Sequence, residues 1–515
     1  MFKCFVFVLF LDMVSAHKIL VVFPVPSTSH AILGAGYVRS LLEAGHEVTY
    51  LTSVLYDKPH PKLQQVDVSH NFDVIAFNDV LSVEKMMTKE LDMQDLFTFS
   101  DLMFDLVIAT LRNPNVVKLL EDPNEKYDVV VTEWLYTEVY SGFALVFDCP
   151  LIWSSSMDAH SMVLWLMDEA PNPAYTADHL SHENEPFQFW TRVSQLWIYL
   201  SRIYLKWWTE SKQSIIYENA FRPFAERKGI AFVPLSKMKY TGALMLGNSH
   251  ASFTQSLKLP ENYKSILGYH IPKEIKALPE DVQKIMDDAK HGVIYFSMGS
   301  MMKSASFPAT LKRDLIKMFA GLRETVLWKF EEEFTDLPKN VHVFKWLPQL
   351  SVLGHPNCKL FITHAGILSI SEAIHVGVPI ISVPMYGDQF LNAHRAVQKG
   401  FSRRILLEMN FVQQLQEAIE DMTSDPSYRK NMKEVAVAFH HRPVSPGAEL
   451  VHWVEHVIVT RGAPHLRSKA LRMPFYQKYY LDLAVLVILC ISMLGFALKL
   501  LRNMRGKVDV KKKTK

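Results

Sequence analysis

The sequence predicts an α/β protein: two Rossmann-like, doubly wound domains facing across a cleft, followed by a single C-terminal transmembrane helix. Three observations predict it. Short apolar runs of strand length recur in two separate series that alternate with helical patterns, as in strands buried on both faces of a parallel sheet. At 515 residues the chain exceeds one ordinary core. An uncharged apolar stretch near the C-terminal end runs into a cluster of lysines and arginines.

Met1-Phe2-Lys3 leads through an apolar run, interrupted at Asp12, to Val14-Ser15-Ala16, a small-residue pattern that a signal peptidase accepts. Residues 1–16 are therefore expected to be a removed signal peptide. Lys18–Phe23 follows as the first buried strand, residues 34–44 as a helix and residues 47–51 as the second strand, the unit of a doubly wound sheet. The pattern returns as a strand over 127–131, a helix over 138–147 and a strand over 151–153. A second series comprises residues 292–297, 325–329, 342–344, 360–363 and 380–383. Pro260 and Pro272 interrupt the pattern between the series, and the domains are set at 17–255 and 256–470. Residues 157–224 concentrate Trp165, Trp190, Trp197, Trp207 and Trp208, which could line an apolar pocket, rest on a membrane surface or pack as core. Residues 446–462 read as a helix that crosses back to the first domain.

Residues 479–501 suffice for a bilayer-spanning helix of about 20 residues. Tyr479 and Tyr480 suit one interface, while Arg502, Arg505, Lys507 and Lys511 crowd the other. The tail, 502–515, is thus expected to be cytosolic and the bulk lumenal, a single-pass type I topology. Lys512 and Lys513, fourth and third from the end, resemble a dilysine retrieval signal, which points to the endoplasmic reticulum membrane. No Asn-x-Ser/Thr sequon bears on this assignment. With 55 basic against 53 acidic side chains, there is no nucleic-acid footprint. Cys4 and Cys490 lie in apolar terminal segments, so Cys149 and Cys358 are too few for a disulfide framework.

The densest chemical signal is Phe344-Lys-Trp-Leu-Pro-Gln-Leu350, then Leu360-Phe-Ile-Thr-His-Ala-Gly-Ile-Leu-Ser369, Glu372, and Val383-Pro-Met-Tyr-Gly-Asp-Gln389. A strand ending at Thr363 turns through Ala365-Gly366 into a helix whose free N–H groups form an anion site. His364 stands at that mouth, where an imidazole can stabilise charge on a departing diphosphate. Glu372 lies about two turns on, on the same side, where a carboxylate can accept from ribose hydroxyls. Trp346 offers a flat face for a uracil ring, and Asp388 with Gln389 follows the next strand at the cleft edge. Taken singly, a tryptophan is usually core and a glutamate usually solvated.

This stretch closely resembles the signature of the UDP-glycosyltransferase family, in its UDP-glucuronosyl and UDP-glucosyl branches, and most nearly its invertebrate-type members. The resemblance extends from the signal peptide to the basic tail. It implies the GT-B fold and an enzyme moving a hexose from a UDP-sugar to a small lipophilic acceptor. Residue by residue, it implies that Trp346 stacks on uracil and Gln349 bonds the nucleoside. His364 and Ser369, with Gly366 at the helix mouth, would meet the diphosphate, Glu372 the ribose, and Asp388 and Gln389 the sugar. Ser300 matches a further phosphate-facing position, and Lys329 adds positive charge.

The family's general base is matched by His30, in the loop after the first strand, where such sheets bind ligands. Its partner is usually an aspartate. Glu133 stands at that place, and its extra methylene demands a shifted backbone. Ala365 replaces a common glycine, and Leu368 stands where some members carry asparagine. No Asp-x-Asp occurs, so no metal and no cofactor are expected, with helix terminus and His364 neutralising the diphosphate. Attack on the face opposite UDP would invert the anomeric centre. Asn248 falls where members using UDP-glucuronate resemble one another in carrying arginine. Asparagine cannot make that charge-assisted contact, so UDP-glucose is the expected donor and UDP-glucuronate the alternative. A tethered lipophile carrier with the fold but without the chemistry would not need His30, His364, Glu372, Asp388 and Gln389 together. The acceptor pocket is expected from the apolar loops over 86–104 and 157–165, in a chain with detoxification-type acceptors.

Overall fold

The computed structural model describes residues 16–74, 96–181, 187–301 and 304–513. Residues 1–15 of the expected signal peptide, and residues 86–95 of the first apolar loop, lie outside them. Two compact units divide the chain, residues 1–467 and residues 468–515.

The first unit holds two parallel sheets. Strands β1 (Lys18–Phe23), β2 (Glu47–Thr52), β3 (Leu63–Asp67), β4 (Val129–Trp134), β5 (Leu151–Ser155), β6 (Leu244–Gly247) and β7 (Tyr263–Ser265) pair in the order 3-2-1-4-5-6-7. Strands β8 (Val293–Ser297), β9 (Thr325–Lys329), β10 (Val341–Phe344), β11 (Cys358–Thr363), β12 (Ile380–Ser382) and β13 (Ser402–Arg404) pair in the order 10-9-8-11-12-13. Alternation along β1 sends Ile19 and Val21 to the core on one face, and Leu20 and Val22 to that on the other. Each such burial contributes about 1.5–3 kcal/mol, which is why these runs lack polar alternation.

In each sheet the strand order reverses once, between β1 and β4 and between β8 and β11. At a reversal two neighbouring crossovers leave in opposite directions, so a crevice opens beyond the strand ends. The segments leaving β1, β8 and β11 there carry His30, Ser300 and His364, while Trp346 and Gln349 follow β10 and Asp388 follows β12.

Helix α1 (Thr28–Glu43) follows β1, α2 (Leu96–Arg112) precedes β4, and the 39-residue α3 (Phe189–Arg227) runs before β6. Helix α4 (Ala309–Ala320) joins β8 to β9, α5 (Ile367–Val376) follows β11, and α6 (Gln389–Gln398) follows β12. Helix α7 (Pro446–Val459) comes last in this unit. Helix α1 starts six residues earlier than the expected 34, which draws His30 into its first turn. Gly34 and Gly36 obscured that start because their usual meaning is a break. Here a Cβ at Gly34 would meet the Tyr50 hydroxyl at 2.2 Å, so the glycine serves close helix–strand packing.

The expected division at 255/256 is corrected. β7 pairs with β6, and the first sheet therefore extends to Ser265. Pro260 does not end the sheet; its carbonyl accepts from the Tyr263 amide (2.9 Å) in the turn that opens β7. Nor do all residues of 256–470 belong to the second half. Leu450, Val454 and Val457 of α7 share a core with Ile19 and Val21, because the apolar stripe of α7 completes the outer layer of the first sheet.

In the second unit, helix α8 (Leu481–Lys513) contains the apolar stretch Leu481–Asn503, with mean hydropathy 2.6, long enough to cross a membrane.

Candidate active site

Between the two sheets of the first unit lies a cavity of about 450 Å³, lined from both. His30, Ser300, Lys329, Trp346, Gln349, His364, Gly366, Ser369, Glu372, Asp388 and Gln389 all line it. Of the expected site residues, Glu133 and Asn248 do not.

On the first half, His30 projects from the opening turn of α1, and Glu133 sits near the end of the adjacent β4. Register brings them together: Val22 pairs with Thr132, so the loop beyond β1 emerges beside Glu133. The His30 Nδ1 lies 2.5 Å from the Glu133 Oε1, and the carboxylate is buried. The longer glutamate thus reaches the ring. Burial lowers the basicity of His30, but the Glu133 charge and hydrogen bond, with Asp388 across the cleft, outweigh it and hold the pKa above 6.5.

On the second half, the peptide turns sharply between β11 and α5. Ala365 takes φ +64°, a left-handed conformation that costs an alanine about 1–2 kcal/mol, which accounts for glycine being common at that place. The His364 imidazole is wedged between two glycines. A Cβ at Gly299 would meet its Cε1 at 2.6 Å, and one at Gly366 its Nε2 at 2.5 Å. Burial, reinforced by Lys329, lowers the His364 pKa to about 4, so the ring is a neutral N–H donor at physiological pH. The first turn of α5 opens beside it with Gly366 as N-cap.

Gln349 links the next groups. Its Nε2 donates to Glu372 Oε2 (2.7 Å) and to Ser369 Oγ (3.2 Å). Burial pushes the Glu372 carboxyl up to about 7, against the pull of Gln349. Trp346 remains 57% exposed at the cavity wall, so core packing does not account for it. Lys329 is committed locally: Nζ donates to Gly299 O (2.8 Å), pairs with Glu331 (2.9 Å) and lies 5.6 Å from the Trp346 ring centroid. It braces the loop holding Ser300 as much as it supplies charge.

Asp388 caps α6. Its Oδ2 accepts from Asn392, whose amide also reaches the Ala365 carbonyl (3.3 Å), tying this loop to the turn at His364. Burial raises the Asp388 pKa. The Gln389 Oε1 accepts from the amides of Met385 and Tyr386.

The placement of Asn248 corrects the expectation drawn from it. The residue is fully buried behind the cavity wall, with Nδ2 donating to the Ser156 carbonyl (3.1 Å).

Several wall residues escaped the sequence reading. Tyr136 stands at φ +55° with its hydroxyl 2.7 Å from His179 Nε2, and His270 lies buried 3.9 Å from Glu372. Neither sits in a motif, and backbone strain leaves no mark in composition. Across the halves, Arg395 of α6 pairs with Asp158, beyond β5, at 2.9 Å, both buried.

The model of the family described as UDP-glucoronosyl and UDP-glucosyl transferase matches residues 17–514. UDP-glucosyltransferase 2 of Dactylopius coccus is 31% identical over 489 residues, covering 93% of this chain and 91% of its own. UDP-glucuronosyltransferase 2B1 of Rattus norvegicus is 26% identical over 485 residues, covering 88% and 87%. Among solved structures, a UDP-glucosyltransferase from Polygonum tinctorium superposes with TM-score 0.56 at 15% identity, covering 86% of this chain and 99% of that one. The calicheamicin glycosyltransferase CalG4 gives 0.54 at 19%, covering 87% and 100%. These neighbours share the GT-B architecture of paired Rossmann-like halves. The chain is therefore a UDP-sugar-dependent glycosyltransferase enzyme, and it belongs to the UDP-glucoronosyl and UDP-glucosyl transferase family.

Proposed function

We propose that the enzyme transfers glucose from UDP-glucose, with inversion and without a metal, to a hydroxyl of a small lipophilic acceptor. The observation that carries this reading is the His30–Glu133 pair, facing Asp388 over a cavity whose opposite wall holds Trp346, Gln349, His364 and Glu372. His30 Nε2 takes the acceptor proton, Glu133 fixes the tautomer and steadies the imidazolium, and the freed oxygen attacks the anomeric carbon from the side away from UDP. The departing charge meets the α5 terminus, His364 and Ser300. Val25, Leu33, Leu96, Phe99, Leu135 and Met157 make the His30 end apolar, which supports a lipophilic acceptor.

A neutral hexose suits the cavity better than glucuronate. Asp388 would repel a sugar carboxylate, and the lysines on the wall are Lys276 and the already paired Lys329. The Dactylopius relative named as a glucosyltransferase agrees with this choice. Mass spectrometry of parallel reactions should find a hexose increment with UDP-glucose; product from UDP-glucuronate alone would overturn the donor assignment. Turnover should be unchanged in EDTA, and inhibition that added divalent ion reverses would overturn metal independence. The α8 stretch and the basic residues after it support a single-pass type I anchor in the endoplasmic reticulum membrane.

Ribose hydroxyls donating to Glu372 would favour its ionised form. A carboxyl held near 7 must then lose its proton on binding, so UDP affinity should rise as pH passes from 6 to 8. Calorimetry in buffers of different ionisation enthalpy should detect proton release near pH 6, absent in Glu372→Gln. The same pH slope in both proteins would remove Glu372 from the ribose site.

A further inference from the structure

Helix α3 is written inside out over its first two-thirds. Its buried stripe there is Gln195, Arg202, Leu205, Thr209 and Gln213, polar at all but Leu205. Three are bonded inward: Gln195 accepts from the Asp178 amide, Arg202 donates to Asp178 Oδ1 and Gln213 accepts from the Glu138 amide, while Thr209 donates to the Leu205 carbonyl of its own helix. The outer stripe is apolar and aromatic: Trp190, Val193, Trp197, Leu200, Tyr204 and Trp207 recur at three- and four-residue steps and are exposed. The three tryptophans are 77%, 72% and 71% exposed. Beyond residue 214 the helix reverts to the ordinary pattern, with Tyr217, Phe221 and Ala225 buried and Glu218, Arg222 and Glu226 outward. An amphipathic helix in water buries its apolar stripe. One that turns the apolar stripe outward for about 30 Å and then reverses marks where the surrounding solvent changes.

We propose that the outer face of α3, from Phe189 to Trp208, lies in the interfacial layer of a lipid bilayer. The proposal rests on the membrane-anchored reading above. Charge and tether select lipid as the occupant. Residues 187–209 contain no acidic side chain; of their basic ones Arg202 and Lys206 are turned to Asp178 and Tyr240, and Arg192 is exposed, so the outer face carries no negative charge to repel anionic headgroups. Tryptophan and tyrosine are the residues that favour the headgroup level. Residues 468–480 separate the first unit from α8, a reach of at most about 45 Å when extended, so an anchored chain keeps this face at high effective concentration beside lipid. The consequence for function is that acceptors partitioned into the bilayer would be met where they dissolve.

The test uses the full chain reconstituted into phosphatidylcholine–phosphatidylserine vesicles with brominated acyl chains. The chain has 10 tryptophans and none lies beyond Trp453, so α8 contributes no signal. The expected result is quenching of tryptophan emission that is lost in the Trp190→Ser/Trp197→Ser/Trp207→Ser variant, with both proteins floating with the vesicles. Wild-type protein that floats but is not quenched, or a triple variant quenched as strongly, overturns the face and leaves the anchor standing. Protein that does not float overturns both. Cross-linking of these tryptophan positions between two chains, without lipid quenching, would assign the face to a second copy instead.

Discussion

Replacing His30 with alanine should lower kcat by about 10²–10⁴-fold, the range that a positioned general base supplies, while UDP binding stays unchanged. The separation follows from placement. His30 and its Glu133 partner belong to the first sheet, whereas the groups proposed to grip UDP belong to the second. Calorimetric titration with UDP and turnover with a phenolic acceptor measure the two properties independently. The pH profile adds a sharper check, because the base must be neutral to work. With the His30 pKa held above 6.5, activity should rise with pH through a value above 6.5. Removing a negative neighbour disfavours the imidazolium, so Glu133→Gln should shift that limb to lower pH while reducing kcat. Retained activity in His30→Ala, or an unmoved limb in Glu133→Gln, would refute the dyad.

The second large effect should come from one methyl group at Gly366. In Gly366→Ala the added carbon would stand 2.5 Å from His364 Nε2, and with Gly299 also close to the ring the space left to it is the cavity. The imidazole must leave its place at the α5 terminus. Loss of a preorganised donor to a departing anion lowers turnover by about 10²–10³-fold, and UDP affinity should weaken alongside. Gly321→Ala is the control, with φ −82° and its new carbon in ordinary contact with the Met318 carbonyl at 3.4 Å. Equal kinetics for Gly366→Ala and Gly321→Ala would mean that His364 is not positioned by this cage.

The parallel strands were legible because burial on both faces erases polar alternation, and the second-half motif was legible because a strand, a tight turn and a helix mouth each leave a residue signature. What stayed hidden depended on direction or distance. Asn248 has a place along the chain, yet its side chain turns to the Ser156 carbonyl that the pairing of β5 with β6 brings beside it, a neighbour 92 residues away in sequence. β7 escaped notice because three residues are too few to show a period. Tyr136 and His270 come into the wall from loops whose paths depend on contacts far away in sequence. The aromatic run 157–224 had three readings. Part of it is core, as with Tyr217 and Phe221; Met157 lines the cavity; and the tryptophans of α3 face outward.

The return of α7 to the first sheet means that the polypeptide passes between the halves twice, once after β7 and once before Pro446. Two passages tie the halves more firmly than one would, because any relative displacement must be accommodated by both segments at once. Asp158 and Arg395 add an ionic link between the halves at a third place. Unfastening it rehydrates both charges as it separates them, and those opposing contributions largely cancel.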